Sequence, residues 1–354
     1  MRIFEYKPNL GSFSLGFEIF SQNEVVEVVN LRKNAEFPYN KTHKQWFLPN
    51  FEQIRDYIPQ KDFDLAIFNP DIGEKIGRKG KNNFYMTDLD DCLAFIKRER
   101  PKFVIFTLNI DAIPLLNTAD TYVRDGYNEV SKDYIIHSLQ KMCYDVFLVA
   151  IDEANYGIPT HKRIALYIAT PIGFDMKFPR GLFTRFGSNK TARFRTIADA
   201  IGDLGTMGEW VPYVSQPQNV YQRHLRCDMD KVTWHFMLNR MTHKQSVTIK
   251  DIRQGSKASK TPTVKQNVGY IRPRWDRICP TLDEKFYLTS SRAPSIHPIA
   301  NRTFTIREGM RIMGLPDTLS FDLKISKPEV AKMVVNSISP IIGEATAIAL
   351  RCIE

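Results

Sequence analysis

The stretch Leu89–Leu108, LDDCLAFIKRERPKFVIFTL, sets a helical pattern directly before an apolar strand pattern. Leu89–Arg100 repeats its apolar residues at the spacing of a helix, with charged residues between them. Lys102–Leu108 is a nearly continuous apolar run rich in β-branched and aromatic residues, as expected for a strand buried on both faces. A helix followed at once by such a strand is typical of an α/β layer.

The rest of the first half of the chain repeats this alternation. A second helical pattern covers Val130–Met142. The other apolar runs are VVEVVNL (Val25–Leu31), FDLAIFNP (Phe63–Pro70), DVFLVAI (Asp145–Ile151) and IALYIAT (Ile164–Thr170). Alternating strands and helices predict a doubly wound α/β domain with a mostly parallel sheet over residues 1–172.

Residues 175–300 have a different character, with weak periodicity and many turn-forming and basic residues. Ser256–Gln266, SKASKTPTVKQ, has the composition of an exposed loop. Helical patterns return at Thr305–Gly314 and at Ser339–Cys352. We expect the last of these helices to pack back on the first half of the chain.

The positive charge is concentrated in this middle segment. The 354 residues carry 49 Lys and Arg against 39 Asp and Glu, a net of +10. Residues 175–300 alone carry 21 basic and 10 acidic residues, a net of +11, and the remainder has 28 against 29. A one-sided positive field is typical of proteins that bind polyanions, which favours nucleic acid over a merely solvated basic surface.

The composition excludes several other classes. With 43% hydrophobic and 25% charged residues, the chain is neither disordered nor built around an apolar run long enough for a membrane helix. The N-terminus, MRIFEYKPN, contains no signal segment, so a cytoplasmic protein is expected. No CxxC pair occurs, so we predict neither a metal site nor a disulfide framework. The widely spaced cysteines are Cys92, Cys143, Cys227, Cys279 and Cys352.

The segment Asn301–Asp317, NRTFTIREGMRIMGLPD, resembles the ninth motif of the cytosine-5 DNA methyltransferases. That motif is close to R-x-x-T-x-R-E-x-x-R-x-x-x-F-P-D, and Leu315 takes its Phe position. The matching residues are Arg302, Thr305, Arg307, Glu308, Arg311, Pro316 and Asp317. Taken singly, these side chains are more simply explained by packing and ion pairs than by contacts to DNA.

Other segments resemble this family in the family's order and together extend over nearly the whole chain. They are LGFE (Leu15–Glu18, first motif), ANYGIP (Ala154–Pro159, eighth), TIADAIGDL (Thr196–Leu204, start of the recognition region), RWDRICPTL (Arg274–Leu282) with His297-Pro298 (lead-in to the ninth), and NSISPIIGEATAIAL (Asn336–Leu350, tenth).

The resemblance implies a methyltransferase-type, Rossmann-like α/β domain formed by residues 1–174 and 325–354. A smaller, basic target-recognition domain would be inserted at 175–324 and would bind double-stranded DNA. This insert coincides with the segment that the charge distribution marks. The residues expected to contact DNA are Arg185, Lys190, Arg193, Arg195, Lys257, Lys260, Lys265, Arg272, Arg274 and Arg277.

The nucleophile that the resemblance implies is missing. The family attacks a flipped-out cytosine with a Cys that follows Pro-Pro at the end of a strand. The corresponding turn here is IFNPDIG, Ile67–Gly73. Pro70 fits the second proline, Asn69 replaces the first, and Asp71 stands in place of the Cys. A carboxylate is a much weaker nucleophile toward an aromatic ring.

Two further catalytic groups are also replaced. The family's Glu-Asn-Val is matched by Leu108, Asn109 and Ile110, and a leucine can neither donate a proton nor form a hydrogen bond. In the Gln-x-Arg-x-Arg stretch of the family, Lys162 takes the place of the first Arg as a charge without a planar fork. Arg163 lies one place out of register. We therefore expect no catalytic residue of the family's kind.

The first motif of the family, close to D-L-F-x-G-x-G-G, is matched by EYKPNLGS, Glu5–Ser12. The family's glycines let the backbone approach S-adenosylmethionine. Only Gly11 is kept, whereas Lys7, Asn9 and Ser12 replace a Phe and two glycines.

The acids that would bind the ribose hydroxyls and lie near the adenine fall at Asn30 and Gln53. The cofactor positions that the resemblance implies, mostly degenerate, are Glu5, Gly11, Asn30, Gln53 and Asn336. No cofactor is therefore expected.

Three functions remain open from sequence. The leading hypothesis is a pseudo-methyltransferase that binds DNA as a specificity or regulatory subunit of an active methyltransferase or a restriction nuclease. The alternative is an active S-adenosylmethionine-dependent DNA methyltransferase with unusual chemistry at Asn69-Pro70-Asp71, because Asn-Pro is similar to the Asn-Pro-Pro-aromatic turn of the amino-directed enzymes. The third is a module whose basic insert faces an acidic protein.

Overall fold

The computed structural model describes residues 1–29, 53–70, 87–110, 133–205, 213–226, 271–288, 296–319 and 326–351, with the backbone of two further strands at 73–76 and 82–85. In this part of the chain the strands are β1 (Arg2–Tyr6), β2 (Glu24–Val29), β3 (Leu65–Phe68), β4 (Gly73–Ile76), β5 (Asn82–Tyr85), β6 (Phe103–Asn109), β7 (Tyr144–Asp152), β8 (Arg163–Pro171), β9 (Phe183–Thr184) and β10 (Ala192–Arg193). The helices are α1 (Ser12–Glu18), α2 (Thr87–Glu99), α3 (Tyr134–Gln140), α4 (Ile197–Ile201), α5 (Val220–Leu225), α6 (Ile306–Ile312), α7 (Lys327–Asn336) and α8 (Pro340–Ala349).

Six strands form the central sheet in the order β2-β1-β3-β6-β8-β7. The first four are parallel to one another, and β8 is antiparallel to both β6 and β7. The ten residues between β7 and β8 are too few for the crossover that a parallel pair requires, so this connection turns back as a hairpin does. The predicted α/β class with a mostly parallel sheet is confirmed, and β8 is its one reversed strand.

The apolar runs predicted as strands all lie in this sheet. All four residues of β3 are buried, as are Phe103–Leu108 of β6, because neighbours cover them on both sides and both faces. The sequence did not mark β1, whose RIFEY includes an acid, Glu5. The structure buries Glu5 and satisfies it with the Ser14 hydroxyl, which donates a 2.6 Å hydrogen bond to its carboxylate.

Helices cover both faces of the sheet. Phe4 of β1 packs with the α2 and α3 side chains, and its ring stacks on Phe95 with centroids 4.9 Å apart. The preceding Ile3 points to the opposite face, where α1 and α8 contribute apolar side chains. The C-terminal helix α8 thus packs on the first half of the chain, as its sequence predicts.

A third apolar cluster joins α4, α5, α6 and α7 away from the sheet. Ile197 and Tyr221 meet Phe286 and Met310 there, so the segment with the ninth motif has a core of its own. Helix α7, which we assigned to the α/β domain, also buries Val334 in this cluster. The division into 1–174 with 325–354 and 175–324 stays a prediction.

Candidate functional site

A cleft of about 690 Å³ opens at the carboxyl ends of β3 and β6. Asn69 and Pro70 line it directly after β3, and Leu108 and Asn109 line it at the end of β6. Because β8 is antiparallel, its beginning lies at this same edge and adds Lys162. Parallel strands place their carboxyl ends along one edge, which is where open α/β sheets hold their ligands.

The sheet therefore brings three of the altered catalytic positions, Asn69, Leu108 and Lys162, around one cleft. Leu108 is 5% exposed and presents an apolar surface where the resemblance requires an acid. The Asn69 amide donates a 3.3 Å hydrogen bond to the Lys7 carbonyl, which ties the end of β3 to the turn after β1. Asp71, at the position of the nucleophile, lies outside the described residues. The described residues that line the cleft include no carboxyl group that could take the part of the family's glutamate.

The turn between β1 and α1 keeps a glycine-like backbone without most of its glycines. Lys7, Asn9 and Gly11 have φ angles of 52°, 56° and 64°, all in the left-handed region. Asn tolerates this region better than most residues with a side chain, which explains why the turn survives the substitution of a glycine by Asn9. Lys7 also forms a 2.7 Å ion pair with Asp88 of α2. Three residues of this turn thus have a backbone conformation that favours glycine, although only one of them is a glycine.

The same turn tests whether S-adenosylmethionine fits. The Asn9 side chain lines the cleft and donates a 3.4 Å hydrogen bond to the Asn336 carbonyl, occupying space that a glycine would leave open. Among the described residues that line the cleft there is no carboxylate, whereas Lys162, Arg163 and Lys332 are cationic. The sulfonium and the two ribose hydroxyls of the cofactor would pair with carboxylates, whereas these cations suit only its methionine carboxylate. The described residues that line the cleft therefore lack partners for most of the group.

The remaining positions that the resemblance assigns to the cofactor add no carboxylate to the described lining of the cleft. Glu5 lies in a small recess behind the cleft and is bonded to Ser14. Gln53 is exposed and precedes the short 3-10 turn Ile54–Asp56. Asn30 lies outside the described residues.

Lys162, just before β8, links the wall of the cleft to the end of α7 and to the residue that follows it. Its Nζ donates hydrogen bonds of 2.9 Å and 2.5 Å to the carbonyls of Val335 and Ser337, between α7 and α8. Behind it lies Glu153, whose carboxylate is completely buried. Burial raises the pKa of Glu153 to about 7 against the attraction of Lys162. Burial of the ammonium lowers the pKa of Lys162, and Glu153 partly opposes this shift.

Nothing in the sequence marks Glu153 as buried. An acid at the end of the edge strand β7 is most simply interpreted as a surface residue. It becomes enclosed because Lys162 and the start of α8 close over the β7–β8 turn, a long-range arrangement that no local pattern encodes.

Glu153 is expected to add a pH dependence to stability. Its pKa is about 7 in the folded protein against 4.5 for the free group, so its contribution is full below about pH 4.5 and is lost as the pH rises through 7. Glu153→Gln should therefore gain stability relative to wild type between about pH 5 and 8, on the order of 2 kcal/mol. Urea unfolding at several pH values measures the difference, with Glu24→Gln at an exposed position of β2 as control. If the variant's advantage in free energy of unfolding over wild type stays constant or falls as the pH rises, the raised pKa of Glu153 is contradicted.

The ninth-motif residues are buried and paired with one another. Arg302 donates two hydrogen bonds, 2.7 Å and 2.6 Å, to the Glu308 carboxylate. Glu308 also accepts from the backbone amide of Thr305, whose hydroxyl caps the amide of Glu308 at the start of α6. His297 adds a ring nitrogen 3.5 Å from Glu308, and burial lowers its pKa to about 4, which keeps it neutral near pH 7. The interpretation of these residues as packing and ion-pair groups is confirmed.

The second half of the motif joins α6 to the end of α4 and to Tyr213 within the inserted segment. Arg311 donates hydrogen bonds of 2.8 Å and 2.7 Å to Asp317, and Arg307 adds a third at 2.9 Å. Asp203, just after α4, lies 3.5 Å from Arg311, and the Tyr213 hydroxyl donates to Asp317 at 2.5 Å. Arg311 and both carboxylates are fully buried. The motif thus anchors the segment that the resemblance assigns to recognition.

The residues expected to contact DNA divide into surface and interior groups. Arg185, Lys190, Arg193 and Arg277 are exposed. Arg274 is exposed but holds Asp276 in a paired contact of 2.9 Å and 2.7 Å. Lys257, Lys260 and Lys265 lie outside the described residues.

Two of these expectations are corrected by the structure. Arg272 is 4% exposed and donates to the carbonyls of His297 and Ala300, so its guanidinium cannot reach a phosphate while the protein is folded. Arg195 donates a 2.9 Å hydrogen bond to the Gly157 carbonyl and lies over the rings of Phe183 and Tyr221. Arg272 is therefore an interior residue, and Arg195 is half-buried with its guanidinium engaged in holding the segment in place.

Comparisons with known proteins agree with the fold and with the family that the sequence resembles. A family model described as C-5 cytosine-specific DNA methylase matches residues 3–352. The Type II methyltransferase M.DdeI of Desulfomicrobium norvegicum is 23% identical over 388 residues, covering 98% of this chain and 88% of that protein.

Solved structures of methyltransferases share the Rossmann-like α/β fold. A DNA modification methyltransferase encoded within an E. coli prophage has a TM-score of 0.66 at 15% identity, covering 99% of this chain and 98% of the other. The S. pombe Dnmt2 methyltransferase gives 0.57 at 12% identity, covering 99% and 98%. At such identities the likeness establishes the fold alone. The family itself is established by the model that extends from β1 to beyond α8, and the chain belongs to the C-5 cytosine-specific DNA methylases.

Proposed function

We propose that this chain binds double-stranded DNA and does not transfer a methyl group by the cysteine chemistry of its family. The observation that carries the proposal is the cleft, where Leu108 takes the place of the acid and Asn9 fills the cofactor turn. The family acts on DNA, and the basic segment 175–300 remains the part of the chain that suits a polyanion. We keep 175–324 as the proposed recognition domain.

A chain with recognition but without transfer chemistry suits a subunit. It would direct an active methyltransferase or a restriction nuclease to DNA, or regulate it. The buried ninth-motif network supports this role because it ties α4 to α6 and so holds the inserted segment together internally. Recognition surfaces gain precision from such rigid supports.

One observation favours an active enzyme as the second candidate. Asn69 and Pro70 line the cleft at the carboxyl end of β3, where amide and backbone oxygens could receive an exocyclic amine. In that case S-adenosylmethionine would have to bind beside Asn9, and Asp71 would be a candidate catalytic residue.

Calorimetric titration with S-adenosylmethionine, with and without duplex DNA, separates the two candidates. We expect no heat of binding from the full chain and no transfer of labelled methyl groups to DNA from a host that lacks methylation. Asn9→Gly is the matched variant, because glycine accepts the φ of 56° and removes the side chain from the cleft. Stoichiometric binding by the wild type together with methylated DNA would replace the proposal by the active enzyme.

DNA binding should depend strongly on salt and on three exposed cations. The triple variant Arg185→Gln, Lys190→Gln, Arg193→Gln should flatten the slope of log K against log salt by about 3, roughly one per lost phosphate contact. Fluorescence anisotropy of a labelled duplex at several salt concentrations measures the slope. Lys97→Gln, Lys102→Gln, Lys141→Gln removes the same charge from exposed positions outside the basic segment and should leave the slope unchanged. Negligible duplex affinity of the wild type at low salt would contradict DNA binding.

A further inference from the structure

The loop between β9 and β10 presents an aromatic ring to solvent. Phe186 is 76% exposed, the most exposed large hydrophobic residue in the described part of the chain. The Arg185 guanidinium lies over its ring, 5.3 Å from the centroid. Removing an exposed phenyl ring from water is favourable, so a partner that covered Phe186 would gain affinity from it.

The loop is held in a defined shape. The Gly187 amide and the Thr191 hydroxyl both bond the Thr184 hydroxyl, at 3.1 Å and 3.0 Å. The Ser188 amide donates to the Thr191 carbonyl at 2.8 Å, and Arg193 Nε donates to the Phe186 carbonyl at 3.2 Å. These bonds fix the backbone on both sides of Phe186. A ring on such a loop binds with little loss of conformational entropy.

The loop is attached beside the mouth of the cleft. Phe194, the residue after β10, meets the His161 ring edge-on with centroids 5.3 Å apart, and His161 lines the cleft. Arg195 bonds the Gly157 carbonyl in the same β7–β8 turn. A polymer that crosses the cleft would therefore pass close to the loop.

The surroundings of the ring are uniformly basic. From residue 176 to residue 195 the chain carries no Asp or Glu. The six basic residues are Lys177, Arg180, Arg185, Lys190, Arg193 and Arg195. All except Arg195 are exposed. Lys177 is paired with Asp175 at 3.0 Å. An aromatic ring among exposed positive charges combines the two features of a nucleic-acid stacking site, since every base offers a π-face and every nucleotide a phosphate.

We infer that Phe186 stacks on an unpaired base of DNA while Arg185, Lys190 and Arg193 contact the flanking phosphates. The inference rests on the proposed DNA binding and adds a preference that charge alone does not give. In an intact duplex the faces of the bases are covered by their neighbours, so a ring reaches one only by opening a base step. A bulge or mismatch lowers that cost, because the base is already loosened. The loop therefore recognises distorted DNA at the edge of the cleft.

The test compares two labelled duplexes that differ only by one bulged base. The wild-type full chain should bind the bulged duplex more tightly, and Phe186→Ala should lose about 5- to 100-fold on that duplex, the range for loss of one stacked base. On the intact duplex the same variant should change little. Phe186→Trp should keep the preference, and its fluorescence should be quenched on the bulged duplex more than on the intact one.

Ile172→Ala is the matched control, since Ile172 is 70% exposed and lies outside the loop. It should bind both duplexes as the wild type does. If Phe186→Ala keeps the wild-type preference, or if the wild type shows none while binding DNA, the stacking assignment is overturned and DNA binding stands. If no duplex binds at low salt, both fail.

Discussion

Arg311→Met is expected to lower the free energy of unfolding by about 3–5 kcal/mol, the usual cost of removing one partner from a buried ion pair. Arg311 is fully buried and donates two hydrogen bonds to Asp317, while Asp203 lies 3.5 Å away. The methionine fills much of the volume of the arginine side chain, but it leaves the Asp203 carboxylate without its nearest cation.

Asp203 makes this loss severe. Neither of its carboxylate oxygens has a hydrogen-bond partner in the described part of the chain, and burial already raises its pKa. Its other cation, Arg226, is more distant at 3.7 Å. Asp317 loses two hydrogen bonds but keeps Arg307 and the Tyr213 hydroxyl. Both carboxylates therefore contribute to the expected cost.

Urea unfolding followed by circular dichroism measures the effect. Arg274→Met is the control, since Arg274 forms an exposed pair with Asp276 and its loss should leave the midpoint unchanged. Asp203→Asn in the Arg311→Met background should recover part of the stability, because the amide carries no charge. A loss below about 1 kcal/mol would show that the network contributes little.

Gly343→Ala should destabilise the protein by about 3 kcal/mol or more, at the upper end of the cost of overpacking a core. A methyl group at Gly343 would overlap the carbonyl oxygen of Phe13, and one at Gly16 would overlap the Pro340 carbonyl oxygen. These obstacles are backbone atoms, which cannot rotate away. Helices α1 and α8 would have to separate, and the buried side chains of Phe17 and Ile342 would lose contacts.

Thermal and urea unfolding of Gly343→Ala test the expectation, with Ile348→Ala as control. Ile348 belongs to the same helix but is 38% exposed, so its truncation should cost far less. Gly16→Ala should give a loss similar to that of Gly343→Ala, because both glycines form the same contact. Wild-type stability of either variant would mean that the two helices do not pack as closely as described.

Much of the fold followed from sequence because its decisive signals are local or contained in single motifs. The runs at Lys102–Leu108 and Ile164–Thr170 became buried strands, since continuous apolar runs of that length fit only a covered sheet. The pattern of Thr305–Gly314 became α6 with a capping box from Thr305 and Glu308. Strand β1 was missed because an acid interrupts its pattern, and Glu5 is accommodated inside by contacts that include the Ser14 hydroxyl.

The candidate site was predicted residue by residue, but its assembly was not. Sequence named Asn69, Leu108 and Lys162 as altered positions, and the sheet placed all three around one cleft. It also proposed Arg272 for DNA, whereas the structure buries it against the carbonyl of His297. A basic residue in a basic segment carries no local sign of whether it faces solvent or a carbonyl oxygen.

By itself, the sequence determined the α/β class, the family resemblance and the residue types that stand at the family's catalytic positions, because these depend on which residue types occur and in what order. Only the tertiary structure decided which groups meet. It buried Glu153 behind Lys162, paired Arg311 with Asp203 from another part of the chain, and raised Phe186 beside the cleft. Such contacts join residues far apart in sequence, and their free energy depends on distance and burial, which exist only once the chain has folded.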